Sequence, residues 1–323
     1  MFRMDLFPDL ALGAPASAAS GGTGAGRAVP EGQHSTSPNS PITNEAGAPV
    51  FVVVEPLKRT APLIFSSPHS GRRYPPEFLA ATRASLTSLR CSEDAFVDEL
   101  FAGAANFGAA LVSATLARAF VDLNRDPAEL DPDMFEDALP ASTASPRVQA
   151  GLGAIPRIAG DGQPIYRKKL SAAEAERRMT LIHRPYHAKL RQLIAETREQ
   201  FGCAVLIDCH SMPSSARGPA APDIVLGDRY GASCHASVTA LAEACLRRMG
   251  YRVARNAPFA GGHTTQLYGR PSQRAHALQI EINRALYLDE TTLERTSGFA
   301  RMRADMGRLA ETLSAASLHK SLA

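Results

Sequence analysis

Apolar and polar positions along the chain fall into short runs that switch between two periods. Runs rich in Val, Ile, Leu and Ala occur at residues 51–54, 63–66, 110–115, 119–123, 204–208, 223–226, 251–254 and 277–282. Several are continuous rather than alternating, as expected of strands buried on both faces. Between them the period lengthens to that of a helix. Ser92, followed by Glu93 and Asp94, predicts a helix start with a cap and two first-turn acids. Ser171 with Glu174 reads as a capping box, and Met179, Ile182, Tyr186, Leu190 and Leu193 mark one apolar face of the helix that follows. Pro185 should kink this helix and Gly202 should end it. Two further helices are predicted, from about residue 232 to 249 and from about 290 to 318.

Strand and helix signals that alternate in this way predict an α/β fold, a three-layer sandwich with a mostly parallel or mixed sheet and helices on both faces. Residues 1–46 stand apart. They are rich in Gly, Ala, Ser, Pro and Thr with little periodicity, the composition of a disordered low-complexity tail. Residues 47–323 then form a single domain, with no second long linker and no internal repeat.

Ligands of open α/β sheets bind at the carboxyl ends of strands, and chemistry-bearing residues gather at predicted ends here. Two apolar runs stop at a His-Ser pair, His69-Ser70 and His210-Ser211. Gly71 follows the first and permits a tight turn. Asp208 and His210 stand two apart, so they share one face of a strand among apolar neighbours, a costly arrangement without a partner. A metal on His210, with Asp208 behind it, offsets that cost. Within residues 278–283, Gln279, Glu281 and Asn283 share the face opposite Leu278, Ile280 and Ile282. An edge strand with that face in water is the bland alternative. A glutamate beside zinc can otherwise deprotonate water and pass the proton to a leaving nitrogen.

A hydrolytic zinc site needs three protein ligands and an open position. Neither His-x-x-Glu after His69 nor His-Glu-x-x-His is present, so a carboxylate must come from elsewhere, and the Ser92-Glu93-Asp94 segment is the best donor. The same two acids also suit an ordinary helix first turn. Arg125, in Asp122-Leu123-Asn124-Arg125-Asp126, suits bidentate binding of a carboxylate, or else pairs on the surface with Asp122 or Asp126. Arg284 is a second cation for an acidic substrate. Gly261-Gly262-His263-Thr264-Thr265 reads as a flexible loop that could cover a ligand or stabilise an oxyanion. His183 and His187 have metal-ligand spacing, yet Pro185 between them favours a structural role.

Composition narrows the function. At 323 residues and 45% hydrophobic, the chain can bury a large core. A net charge of +3 without a basic block argues against nucleic acid, and the absence of Trp argues against a base-stacking surface. Five cysteines without a Cys-x-x-Cys pair exclude a disulfide framework and a cysteine zinc knuckle, and fit a cytoplasmic protein. Cys209 reads as a small buried strand residue. No apolar run is long enough for a membrane span. The small residues at 14–19 mimic an export signal, but Asp5, Pro8 and Asp9 interrupt the stretch it would need. Without Gly-x-Ser-x-Gly, no serine-hydrolase elbow is present.

Taken in order, these segments resemble the N-formylglutamate amidohydrolases over about residues 50 to 317. The resemblance rests on Ser67-Pro68-His69-Ser70-Gly71 with Tyr74-Pro75, Glu93-Asp94 before Val97-Asp98-Glu99-Leu100, and Val121-Asp122-Leu123-Asn124-Arg125. It continues through Gly151-Leu152-Gly153, Arg184-Pro185-Tyr186-His187 and Asp208-Cys209-His210-Ser211-Met212-Pro213. It ends with Asn256-Ala257-Pro258-Phe259-Ala260-Gly261-Gly262 and Gln279-Ile280-Glu281-Ile282-Asn283-Arg284 with Tyr287. Ala95 departs from it, where an aromatic is expected. The resemblance implies a phosphorylase/hydrolase-like fold akin to zinc carboxypeptidases and one Zn2+ per chain. His69, Asp94 and His210 would hold the ion, with Glu93 the competing ligand and Glu281 the base. Asn124, Arg125 and Arg284 would grip a small acidic substrate, N-formyl-L-glutamate, releasing formate and L-glutamate at the end of a histidine degradation route. An amidase for another N-acyl amino acid or a cell-wall peptide, and a non-catalytic binding module, are the competing expectations.

Overall fold

The apolar runs become strands β1 (Phe51–Val54), β2 (Leu63–Ser67), β3 (Ala110–Ala114), β4 (Ala204–Met212), β5 (Ile224–Gly227), β6 (Val253–Arg255) and β7 (Ala275–Asn283). The structure is a computed structural model and describes residues 47–139, 142–215 and 221–316, with Leu318 and Leu322. The tail expected over residues 1–46 lies outside the described residues. The strands pair into one mixed sheet in the order β1-β3-β2-β4-β7-β5-β6. β3, β2, β4 and β7 run parallel to one another, whereas β1 is antiparallel to β3 and β5 is antiparallel to β7.

Helices α1 (Pro76–Ala81), α2 (Leu86–Arg90), α3 (Val97–Leu100) and α4 (Pro146–Gln149) are short. After them come α5 (Ala172–Arg178), the long α6 (Arg184–Phe201) and α7 (Ala236–Arg248), the short α8 (His263–Tyr268) and the long α9 (Gly298–Ala315). Alternate strand residues feed two apolar clusters. Leu63, Phe65, Val205, Ile207, Leu278 and Ile280 pack with α7 and α9 through Val238, Leu246, Met302, Met306 and Leu309. Ile64, Leu206, Ala277 and Val112 pack instead with Tyr186, Leu190 and Leu193 of α6. Each such side chain contributes about 1.5–3 kcal/mol when fully buried, so both clusters weigh heavily in holding the strands in register.

On the α6 side that pattern turns polar toward the carboxyl ends. Ile64 is followed by Ser66, Leu206 by Asp208 and His210, and Ala277 by Gln279 and Glu281, one step of the two-residue period at a time. Parallel register sets these residues side by side, Ser66 with Asp208, Asp208 with Gln279 and His210 with Glu281. Glu281 therefore lies on an interior strand rather than an edge. Cys209 points to the opposite cluster as a buried free thiol.

Several expectations are corrected. Residues 119–123 form no strand. Phe120 and Val121 turn back on the Ala117 carbonyl, and the segment is apolar because it packs under α6, without a neighbouring strand to pair with. Ser92 does not cap a helix. Its Oγ accepts from the Gly160 N–H, and α3 begins only at Val97, after Phe96 in a left-handed conformation (φ 64°). The Ser171 cap holds, but the helix is interrupted before Pro185 by a π-helical turn at Met179–His183, which absorbs the carbonyl that the proline ring leaves without a donor. The last helix starts at Gly298, because residues 289–294 fold into a tight turn around the Asp289 side chain. The Gly261–Thr265 loop gives way to α8 at His263. Gly71 is required by close approach, since a Cβ there would stand 2.1 Å from the Leu116 carbonyl oxygen.

Candidate active site

His69 follows β2 after Pro68, and its carbonyl accepts the Asp94 N–H at 3.0 Å. That bond, rather than a helix start, brings Asp94 to the carboxyl end of the sheet. His210 enters from β4, which continues two residues past it to Met212. The two imidazole rings lie 4.7 Å apart, edge to face.

Each ring is held by a carboxylate on its Nε2 side. His69 Nε2 lies 2.6 Å from Asp122 Oδ1, and His210 Nε2 lies 3.0 Å from Asp208 Oδ2. An ionised carboxylate only accepts, so His69 carries a hydrogen on Nε2, whereas His210 Nε2 lies between Asp208 Oδ2 and Asn124 Nδ2, the latter 2.9 Å away. Asn124 Nδ2 also donates to Asp208 Oδ2, at 3.2 Å, and its orientation is fixed by the Thr264 N–H on its carbonyl oxygen. The Nδ1 atoms face Asp94. Its Oδ2 lies 3.4 Å from His69 Nδ1 and 2.9 Å from His210 Nδ1. The Arg284 guanidinium and the Ser211 hydroxyl donate to Asp94 Oδ1, at 2.9 and 3.2 Å.

The electrostatics follow from this packing. Burial opposes ionisation of Asp94 and Asp122, yet His210, His69 and Arg284 around the first, and Arg118 and His69 around the second, hold both well below the ordinary carboxylate range. Burial would lower the His210 pKa, but the Asp208 and Asp94 carboxylates outweigh it and raise the imidazole well above its ordinary value. Glu281 is pushed up to about 7, by burial first and by Asp94 among its neighbours, against the pull of His210. Its Oε1 accepts from Gln279 Nε2 at 2.7 Å, and Gln279 Oε1 in turn accepts from the Gly262 N–H at 2.7 Å.

A divalent cation fits this donor set. Both rings turn Nδ1 toward Asp94, and His69 Nδ1 is buried without a hydrogen-bond partner among the described residues. One ligand atom from each of His69, Asp94 and His210 falls within 4.8 Å of the others. Tetrahedral donors about 2.0–2.1 Å from zinc stand about 3.3 Å apart, close to the separations seen here. Carboxylates behind metal-binding imidazoles fix their tautomer and orientation, the places that Asp122 and Asp208 hold.

Other expected residues fall elsewhere. Glu93 turns away, accepting from Tyr74 Oη at 2.6 Å with Arg90 at 3.6 Å. Arg125 donates to the Leu152 and Asn124 carbonyls, and burial pushes its pKa down to about 10. His183 and His187 bind the Arg125 and Leu123 carbonyls, clamping the backbone on either side of Asn124. Two residues at the site escaped the sequence reading. One is Asp122 as the partner of His69, signalled only by an acid inside Phe120-Val121-Asp122-Leu123. The other is Arg118, whose Nε donates to Asp122 Oδ2 at 2.8 Å.

Comparison with known proteins gives a consistent result. The family model of N-formylglutamate amidohydrolase matches residues 61–288. An N-formylglutamate deformylase of Pseudomonas aeruginosa is 34% identical over 235 residues, covering 71% of this chain and 83% of that one. Its counterpart from Pseudomonas putida is 33% identical over 236 residues, with the same coverage of 71% and 83%. The crystal structure of an N-formylglutamate amidohydrolase from Ralstonia eutropha superposes with a TM-score of 0.78 at 36% identity, covering 82% of this chain and 96% of that one. A protein of Agrobacterium tumefaciens shares the fold at 19% identity and a TM-score of 0.60, covering 87% of this chain and 99% of that one. By sequence and by fold, the chain belongs to the N-formylglutamate amidohydrolase family.

Proposed function

We propose that this chain is a zinc-dependent amidohydrolase that converts N-formyl-L-glutamate and water to formate and L-glutamate. The observation that carries the reading is the buried His69 Nδ1, partnerless and turned with His210 Nδ1 toward Asp94, one strand away from a glutamate with a pKa of about 7. The names of the Pseudomonas relatives support the substrate. The two apolar clusters on the sheet support a three-layer arrangement of the zinc-carboxypeptidase type. Family resemblance supports a cytoplasmic role at the end of histidine degradation. Among the described residues, no helix is long and apolar enough to cross a membrane.

His69, Asp94 and His210 are the residues that would hold the ion. When bound, it supplies Lewis-acid polarisation of the formyl carbonyl and lowers the pKa of water. Glu281 performs the proton transfers. Its Oε2 makes no hydrogen bond among the described residues and takes a proton from the attacking water. As the water oxygen bonds to the formyl carbon and the C–N bond breaks, that proton passes to the departing nitrogen. Gln279 fixes the carboxylate through Oε1, and the Gly262 N–H fixes Gln279. Arg125 keeps Nη2 outside its two carbonyl bonds, and we assign that nitrogen to the substrate. Asn124 donates to Asp208, and Arg284 donates to Ser211, the Cys91 carbonyl and Asp94; we assign both to holding the ligand cluster.

The test is formate release from N-formyl-L-glutamate by the purified protein, with a chelator and after added zinc. Release that the chelator abolishes and zinc restores supports the reading. Release that survives complete metal removal refutes the metal role, and turnover only of other N-acyl amino acids refutes the substrate.

A further inference from the structure

Two residues beyond Asp94, Phe96 holds a left-handed backbone (φ 64°, ψ 8°). A Cβ disfavours that conformation, and a bulky side chain makes it an outlier. It persists only where the surroundings enforce it. Here two guanidiniums do so. Arg72 lies over the Phe96 ring, 4.7 Å from its centroid, and Arg295 lies 4.3 Å from the same centroid. Cations placed in this way are attracted to the ring. Both also pair with Glu99, Arg72 at 3.1 Å and Arg295 at 2.6 Å, and Arg72 reaches Asp98 at 3.2 Å. Phe299 closes the group, meeting Phe96 edge to face at 6.0 Å.

This clamp gathers the three segments that build the ligand cluster. Arg72 stands three residues after His69, on a stretch fixed by the Arg73 N–H on the Thr115 carbonyl at 3.0 Å. Phe96 follows Asp94. Arg295 returns from Arg284 through a turn closed by the pairing of Leu288 with Arg295, and Arg284 donates to Asp94 Oδ1. The Glu99 and Leu100 N–H groups both donate to the Phe96 carbonyl at 3.0 Å, so the left-handed residue sets the start of α3. Val97 and Leu100 anchor α3 in the core. A relaxation of Phe96 would therefore be taken up on its other side, where Asp94 hangs from the His69 carbonyl.

We propose that Phe96 is a positioning residue, and that the Arg72–Phe96–Arg295 clamp enforces the left-handed turn that delivers Asp94 to the ligand cluster. Charges outside the site thereby preorganise it for a divalent cation. This rests on the metal reading above.

The experiment measures the zinc Kd of the metal-free protein by chelator competition, with thermal unfolding alongside, for wild type, Phe96→Leu and Phe96→Gly. Leucine keeps apolar bulk and loses the ring, so zinc should weaken about 5- to 30-fold, the factor by which a Cβ disfavours the left-handed conformation. Glycine adopts that conformation freely, so zinc should weaken less than about threefold, although Phe96→Gly should unfold at the lower temperature of the two. Opposite orders of affinity and stability separate positioning from packing. The pair Arg72→Gln with Arg295→Gln strips both cations. It should weaken zinc about 5- to 30-fold in the wild-type background and under about twofold beside Phe96→Gly. Phe96→Leu within twofold of wild type, or Phe96→Gly as weak as Phe96→Leu, would overturn the proposal; if Phe96→Leu does not fold, equal losses from the arginine pair in both backgrounds would do so. If wild type binds no zinc, the metal reading fails first. Hydrogen exchange of the Asp94 amide then tests the clamp alone: protection that falls more in Phe96→Leu than in Phe96→Gly supports it, and any other order overturns it.

Discussion

Asp122 is never predicted to touch substrate or metal, and it offers the sharpest test of the site. It receives His69 Nε2 at 2.6 Å, Arg118 Nε at 2.8 Å and the Asn124 N–H at 2.8 Å, and it is buried. Asp122→Asn keeps the shape and one acceptor oxygen. Placed on the Oδ1 side, that oxygen preserves the bonds from His69 and Asn124 and sets an NH2 group against Arg118. The reverse orientation loses two bonds to save one, so the first is adopted. His69 then donates to a neutral amide instead of a carboxylate. Hydrogen bonds to charged groups contribute about 1.5–3 kcal/mol against about 1 for neutral ones, and the imidazole becomes both less basic and less firmly held. Loss of such partners typically weakens metal binding about 10- to 100-fold, or about 1.4–2.7 kcal/mol. Competition against a chromophoric chelator gives the apparent zinc Kd directly, with circular dichroism as the check on folding. A folded Asp122→Asn protein whose zinc Kd stays within twofold of wild type would refute the carboxylate–imidazole–metal reasoning.

Three further outcomes follow from the same geometry. Glu281→Gln should retain zinc and lose about 10²- to 10⁴-fold in kcat, the usual contribution of a general base; near-normal turnover would remove Glu281 from that role. Asp94→Asn should lose zinc while Glu93→Gln keeps it, because Glu93 is engaged with Tyr74; metal analysis showing the reverse would exchange the two. Zinc binding near pH 6 should release protons and tighten as the pH rises. In the metal-free protein His210 is held well above its ordinary range and Glu281 at about 7, so both carry protons there, and the His210 Nδ1 proton must leave for a metal to bind. Calorimetry in two buffers of different ionisation enthalpy reads this, and a binding heat that does not change with buffer would contradict it.

What the sequence revealed and what it hid have physical explanations. Val and Ile runs such as 63–66 and 204–208 read correctly because strands buried on both faces need nothing but apolar residues. The same logic misread residues 119–123, since a buried loop and a buried strand share a composition and only the pairing partner tells them apart. His210 and Glu281 were legible because a polar residue repeating at every second position of a buried strand demands a cause. Their exact adjacency was not, since it depends on the parallel register of β4 on β7, a contact between residues some seventy positions apart. Asp94 was legible as a candidate for the wrong reason. Its segment looked like a helix start, whereas a single bond to the His69 carbonyl places it. Arg118 left no trace in Ala117-Arg118-Ala119, because nothing local in that run points to Asp122.

The register of β4 against β7 also divides the molecule's capacity to change. His210 and Glu281, which we assign to the hydrolysis, and their neighbours Asp208 and Gln279 are addressed by position on two paired strands whose alternate residues are the core, so a shift of one residue would exchange them for Cys209 and Ile280. Chemistry and folding are therefore inherited together on those strands. Arg125, which we assign to the substrate, sits instead on a connecting segment, where a substitution leaves the pairing intact. A lineage descended from this scaffold can exchange its acyl amino acid while keeping its water-splitting apparatus, and its diversity should be sought in those connections.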